Sequence, residues 1–222
     1  MNIEAKTFNP EDMYHMFDLN LLNKDIFYFK NVVSYPKELI NFINEVDLIP
    51  ESHTVISKWS AWTASNDKDF VYGKNKNIMP TNLTKENKDT ALGKKMLYIK
   101  NSFEMAFRMC LDTYLKSHQL DPSLYDLRMS QIPIRQWVGP GMGPHCDNYD
   151  GDTDLAFSMI SYLNSDYEGG EIEFPNHGIS IKPEEGSLLI FPSKEPYLHK
   201  VNDVISGDRY TSHLSVYNSK VV

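Results

Sequence analysis

Residues 131–217 read QIPIRQWVGPGMGPHCDNYDGDTDLAFSMISYLNSDYEGGEIEFPNHGISIKPEEGSLLIFPSKEPYLHKVNDVISGDRYTSHLSVY. Short runs rich in β-branched and aromatic residues alternate here with turn residues. The runs are Gln131–Val138, Leu155–Leu163, Gly170–Phe174, Ile179–Ile181, Ser187–Phe191, His199–Val201 and Tyr210–Tyr217. Gly-Pro-Gly, Asp-Gly-Asp, Gly-Gly, Asn-His-Gly, Pro-Glu-Glu-Gly and Ser-Gly-Asp separate them. Many short strands with frequent turn signals predict an all-β sandwich or barrel.

Upstream the pattern differs. Asp25–Val33 (DIFYFKNVV) has strand composition, and no element is predicted before it. Pro36 opens a helix to about Val46, with Leu39, Ile40, Phe42 and Ile43 at helical spacing. Ile56–Trp62 reads as a strand. Asn66–Asp89 is polar and lysine-rich, which predicts a solvated loop, with a lid over a site as the functional alternative. Thr90 caps a helix from Ala91 to about Lys116, and Leu92, Met96, Ile99, Phe103, Ala106, Phe107, Cys110 and Tyr114 mark its buried face. Such a face needs a sheet to cover it. Residues 1–222 are therefore read as one domain: helical support and lid over 1–126, then a β core over 127–222.

Composition narrows the function. The chain has 222 residues with 41% hydrophobic content, enough for its own core. Asp and Glu number 30 against 22 Lys and Arg, a net charge of −8, which disfavours nucleic-acid binding. Two cysteines do not make a disulfide framework. The first residues lack the apolar stretch of a signal peptide, and no segment is long and apolar enough for a membrane span. A soluble, cytoplasmic protein is expected; oligomeric state is not specified.

The chemistry-bearing residues are few. In His145-Cys146-Asp147, positions i and i+2 of an extended strand face one way, so an imidazole and a carboxylate reach one point while Cys146 turns away. A second histidine from another strand would complete a two-histidine, one-carboxylate face with open positions for Fe(II). His199, in YLHKV, is the distal candidate. Arg209, in SGDRY, is the cation that a bound dicarboxylate would require. Steps of two from Arg209 give Thr211 and His213, so His213 shares its face and lies near the pocket. His199 fits the spacing to Arg209 better as a metal ligand.

HCD, the YLN of MISYLNSDYEGGEIEFP, GSLLIF and LHKVNDVISGDRY together resemble the 2-oxoglutarate- and Fe(II)-dependent dioxygenases, in their prolyl 4-hydroxylase-like branch. The resemblance covers Gln131–Tyr217 and, more faintly, Asp25–Val46. It implies a mainly β fold with supporting helices, a double-stranded β-helix (a distorted, cupin-like jelly roll). It also implies iron bound by His145, Asp147 and His199, with Arg209 and Tyr162 on the distal carboxylate of 2-oxoglutarate. Gly169-Gly170 matches the family's tight turn. Where the family often carries a tyrosine reaching toward the co-substrate, this chain has Gln136-Trp137, and Trp137 is expected in that space. Asn148 and Tyr149, with His213, are the expected substrate contacts.

The implied reaction consumes 2-oxoglutarate and O2, gives succinate and CO2, and hydroxylates a prolyl residue of a peptide or protein, with ascorbate as an accessory reductant. The alternatives are a free amino acid, a small metabolite or a nucleobase as substrate, or a jelly-roll metal- or ligand-binding module without turnover. No second arginine follows Arg209 in YTSHLSVYNSK, which counts against nucleobases.

Overall fold

The computed structural model describes residues 18–34, 36–47, 59–63, 71–78, 89–127, 132–148 and 154–219. Seven stretches carry the jelly roll: β6 (Ile134–Trp137), β7 (Met142–His145), β8 (Leu155–Tyr162), β10 (Ile172–Phe174) with β11 (Ile179–Ile181), β12 (Leu188–Pro192), β13 (His199–Val201) and β15 (Arg209–Asn218). Along the chain they alternate between two sheets. The major sheet contains the antiparallel order β12-β8-β15-β6, and the minor sheet is β11-β10-β13-β7. This alternation is what makes a double-stranded β-helix of the strand-turn run. Two short strands, β9 (Glu168–Gly169) and β14 (Val204–Ser206), pair beside it.

The N-terminal half does more than support this core. β1 (Asp18–Leu21) and β2 (Phe27–Lys30) extend the major sheet beyond β12, while β3 (Ser60–Thr63) and β4 (Val71–Ile78) extend it beyond β6. β5 (Tyr125–Leu127) pairs with β15, so a boundary at 126/127 falls inside a strand.

The expected loop at 66–89 is corrected by β4. Residues 71–78 are a strand paired with both β3 and β6; 66–70 and 79–88 lie outside the described residues. Alternation is present only over 74–76, where Lys74 and Lys76 are exposed and Asn75 between them is buried; Ile78 is buried as well. Asn75 carries the inward position with a polar side chain. Its amide donates to the Pro140 carbonyl at 2.9 Å and its Oδ1 accepts from the Val138 N–H at 2.6 Å. A satisfied buried amide reads as loop composition in sequence.

The described residues include two α-helices, α1 (Pro36–Asp47) and α2 (Ala91–Ser117). The Thr90 hydroxyl accepts the Gly93 N–H at 3.0 Å, capping α2 as its position predicts. Phe103, Ala106, Phe107, Cys110 and Tyr114 of α2 are buried against Phe27 and Phe29 of β2 and Leu188 and Ile190 of β12. The intervening residues Tyr28, Leu189 and Phe191 face the other way and pack with Tyr162, Ile172 and Phe174 between the two sheets. Period-two alternation thus divides two apolar cores across one sheet. No helix among the described residues is long and apolar enough to cross a membrane.

Candidate active site

The barrel interior brings His145 and His199 together first. They are register partners on the antiparallel strands β7 and β13, with ring centroids 4.3 Å apart. Asp147 lies in the bend just after β7, not in a continuing strand, and still turns its carboxylate to both rings. Its Oδ1 is 3.5 Å from His145 Nε2 and its Oδ2 is 3.7 Å from His199 Nε2. The ligand atoms of all three residues lie within 4.8 Å of one another.

Backbone carbonyls orient the rings. His145 Nδ1 meets the Gly143 carbonyl at 2.8 Å, and His199 Nδ1 meets the Tyr197 carbonyl at 3.3 Å. With Nδ1 protonated toward a carbonyl, each Nε2 lone pair is directed at the common point. Phe174 and Phe191 wall in His199, which is 2% exposed. Tyr197 is itself held: its hydroxyl donates to Asp25, which also meets His118 Nε2 at 3.2 Å, and its ring stacks on His177. This tie from the turn before β2 and the end of α2 to the histidine segment has no signal in local sequence.

Charge favours a cation at this point. Burial acts to raise the Asp147 pKa, but the His145 hydrogen bond, the neighbouring His213 and His199 rings and the Ser158 hydroxyl hold it well below the usual carboxylate range. Ser158 Oγ donates to Asp147 Oδ2 at 2.5 Å and pairs with Ser193 Oγ at 2.8 Å. Burial opposes protonation of His145, and Asp147 with the Gly143 carbonyl outweighs it and raises the pKa. In His199 burial wins and the pKa is lowered. One ionised carboxylate with two imidazole nitrogens suits a borderline divalent transition metal such as iron(II).

A second polar cluster lies along β15. Arg209 is 1% exposed, and its Nε and Nη1 have no hydrogen-bond partner among the described residues. The hydroxyls of Tyr162 and Tyr167 are likewise buried and unpartnered. The guanidinium lies over the Trp137 ring at 5.0 Å and the Tyr162 ring at 5.2 Å from the centroids. Burial raises the pKa of both tyrosines, with Arg209 opposing. A buried cation with unsatisfied donors around it is costly without an anion to complete it. The donor set matches a carboxylate.

Gly170 makes room for that cation. It has φ +67°, and a Cβ there would lie 2.8 Å from Arg209 Cδ. Gly169, at φ +73°, admits no Cβ either, because the Asp203 carbonyl would be 2.1 Å away. The Gly-Gly pair is therefore required twice over, by left-handed backbone and by close approach.

The other expected residues divide. Trp137 sits opposite Arg209 in register and spends its indole N–H on Thr211 Oγ1 at 2.9 Å, so it braces the arginine from one side. Asn148 donates its amide to the Leu155 carbonyl at 2.8 Å and its backbone N–H to the Ser193 carbonyl, fixing the bend that bears Asp147. Tyr149 lies outside the described residues. His213 reaches the site, with Nε2 3.7 Å from Asp147 Oδ2. The Cys146 thiol lies within hydrogen-bond reach of the Glu195 carboxylate. Tyr167 and Ser158 were not anticipated, and Thr211 only as a position on the Arg209 face; Tyr167, next to Glu168-Gly169-Gly170, stands near a motif that hinted at it.

Residues 134–216 match the family model of the 2OG-Fe(II) oxygenase superfamily. The match covers 83 of the chain's 222 residues. The chain is 35% identical over 101 residues to a PKHD-type hydroxylase of Prochlorococcus marinus (strain NATL1A), covering 43% of each chain. It is 38% identical over 81 residues to a PKHD-type hydroxylase of Hyphomonas neptunium, covering 32% of this chain and 35% of the other. The matches thus span about half or less of the relatives' length. In three dimensions the chain is similar to a viral collagen prolyl hydroxylase of Paramecium bursaria Chlorella virus-1, whose structure holds 2OG, at TM-score 0.56, 17% identity and coverage of 87% and 95% of the two chains. A Trichoplax adhaerens prolyl hydroxylase in complex with a hypoxia inducible factor peptide fragment gives TM-score 0.60, 17% identity and coverage of 90% and 86%. At that identity these two establish the shared fold. The family's description names Fe(II) and 2OG; the first polar cluster suits a metal ion and the second suits a carboxylate.

Proposed function

We propose that the protein is an Fe(II)- and 2-oxoglutarate-dependent dioxygenase that hydroxylates a prolyl residue in a peptide or protein. The observation that carries this reading is the pairing, inside one barrel, of a two-histidine, one-carboxylate face with a buried, unsatisfied arginine. His145, Asp147 and His199 hold the metal. Arg209, with the Tyr162 and Tyr167 hydroxyls, binds the far carboxylate of the co-substrate. Iron(II) with 2-oxoglutarate and O2 would supply the oxidising power, leaving succinate and CO2 as co-products.

The chain's own residues bind, orient and exclude water. Arg209 and His213 are four positions apart on one face of β15, about 13 Å along the strand. That span accommodates an arginine side chain and a five-carbon diacid reaching the metal face. Trp137 and Tyr162 sandwich the guanidinium and fix its plane. Asn148 holds the bend so that Asp147 keeps its aim. The aromatic wall of Phe174 and Phe191 keeps the floor dry behind His199.

Hydroxylation is supported by the hydroxylase names of the relatives, and a prolyl residue in a peptide by the peptide complex of the Trichoplax prolyl hydroxylase. Tyr149 is the proposed substrate contact. The test is incubation with Fe(II), 2-oxoglutarate, ascorbate and a panel of proline-containing peptides, following succinate and peptide mass. Succinate with one oxygen gained on proline supports the reading. Turnover of free amino acids or nucleosides instead would reassign the substrate, and metal uptake with no succinate under any condition would make this a binding module.

A further inference from the structure

His213 is the third imidazole around Asp147. It stands opposite Ile160 in the register of β15 and β8, on the inner face of the major sheet. Its Nε2 is sealed from solvent and has no hydrogen-bond partner among the described residues, yet lies 3.7 Å from Asp147 Oδ2. Oδ2 already accepts the Ser158 hydroxyl at 2.5 Å. His145 Nε2 approaches the other oxygen, Oδ1, at 3.5 Å. The three-residue cluster whose ligand atoms converge within 4.8 Å comprises His145, Asp147 and His199, and His213 falls outside it.

We propose that His213 is a positioning residue for the metal-binding carboxylate. Its Nε2–H closes onto Asp147 Oδ2, shares that oxygen with Ser158 and leaves Oδ1 as the oxygen offered to the metal. The role rests on the metal reading given above. A carboxylate held at one oxygen by two donors cannot swing, so its other oxygen stays presented beside the two histidines. An unsatisfied buried donor 3.7 Å from an ionised acceptor needs only a small movement to reach hydrogen-bond distance. Outer groups that orient a ligand in this way typically change metal affinity ten- to hundredfold. His213, placed near the pocket by its strand position, thereby acts on the metal site through Asp147.

The probe is Co(II), titrated into the metal-free full chain and read by its visible absorption, without 2-oxoglutarate. Three proteins are compared: wild type, His213→Leu, which fills the space without a donor, and His213→Gln, which restores one. Circular dichroism checks that each is folded. The expected result is a ten- to hundredfold weaker Co(II) affinity in His213→Leu, with most of it recovered in His213→Gln. Combination with Ser158→Ala should be non-additive, since both donors act on one oxygen. Equal affinity in wild type and the leucine variant would overturn the role while leaving the metal site standing. A changed coordination spectrum at saturating Co(II) in both variants would overturn it too, by making His213 a ligand. A folded wild type that takes up no Co(II) would overturn the metal reading and this role with it. Should the leucine variant fail to fold, the glutamine variant decides: a hundredfold loss there excludes a donor role.

Discussion

His145 and His199 stand directly opposite each other on neighbouring antiparallel strands, with ring centroids 4.3 Å apart. The pair is built by strand register, so neither ring can move without the other losing its partner. Replacing either by alanine leaves two ligands, and iron or cobalt uptake is expected to fall to near background while the fold survives. Metal content after dialysis, with circular dichroism on the same samples, checks this. Retention of full metal content in His199→Ala would remove His199 from the site.

Gly170 provides a test of the co-substrate pocket without touching a donor. A methyl group there meets Arg209 Cδ at 2.8 Å on a backbone at φ +67°. Gly170→Ala should raise the apparent 2-oxoglutarate requirement and leave Co(II) affinity unchanged. Arg209→Ala removes a charge-assisted interaction of about 1.5–3 kcal/mol, so its requirement should rise roughly tenfold or more. Steady-state kinetics in 2-oxoglutarate measures both. Wild-type co-substrate affinity in Arg209→Ala would eliminate the proposed carboxylate site.

Asn75 is a structural polar residue that holds β4 to the turn after β6. Asn75→Ala leaves the Val138 N–H and the Pro140 carbonyl without their partner. The expected destabilisation is about 1–3 kcal/mol. Urea denaturation gives the value, and an unchanged midpoint would show that β4 does not depend on these bonds.

Cys146 should be chemically quiet. Burial first, and then the Glu195 carboxylate, push its thiol up from 9.0 to about 11. Only the thiolate reacts, so alkylation should be slow at pH 8 and should accelerate as pH rises toward 11, a thiolate fraction roughly a hundredfold below that of an unperturbed thiol. Cys146→Ala should keep its metal and its turnover. Fast labelling at pH 8, or loss of turnover with metal retained, would contradict a packing role.

How much was legible in the sequence follows from how far apart the interacting residues lie. The cap at Thr90, the apolar seam of α2 and the period-two strands from Leu155 onward are set by neighbours within a few positions. His145 and Asp147 are close enough in sequence for their common direction to be read, although a bend and not a continuous strand delivers it. The ordered residues from HCD to SGDRY were recognisable as a set, and with them His199, Arg209 and Tyr162.

Tertiary structure alone decided the rest. β4 escaped notice because its inward position is an asparagine whose two partners lie some sixty residues away. Tyr167 joins Arg209 only because Gly169 and Gly170 turn the chain back on itself, and Ser158 reaches Asp147 across a sheet-to-sheet gap. His213 could be assigned to the correct strand face from its spacing, but its distance to Asp147 depends on how two sheets close on each other. Local sequence sets which way a side chain points; the packing of distant strands sets what it meets there.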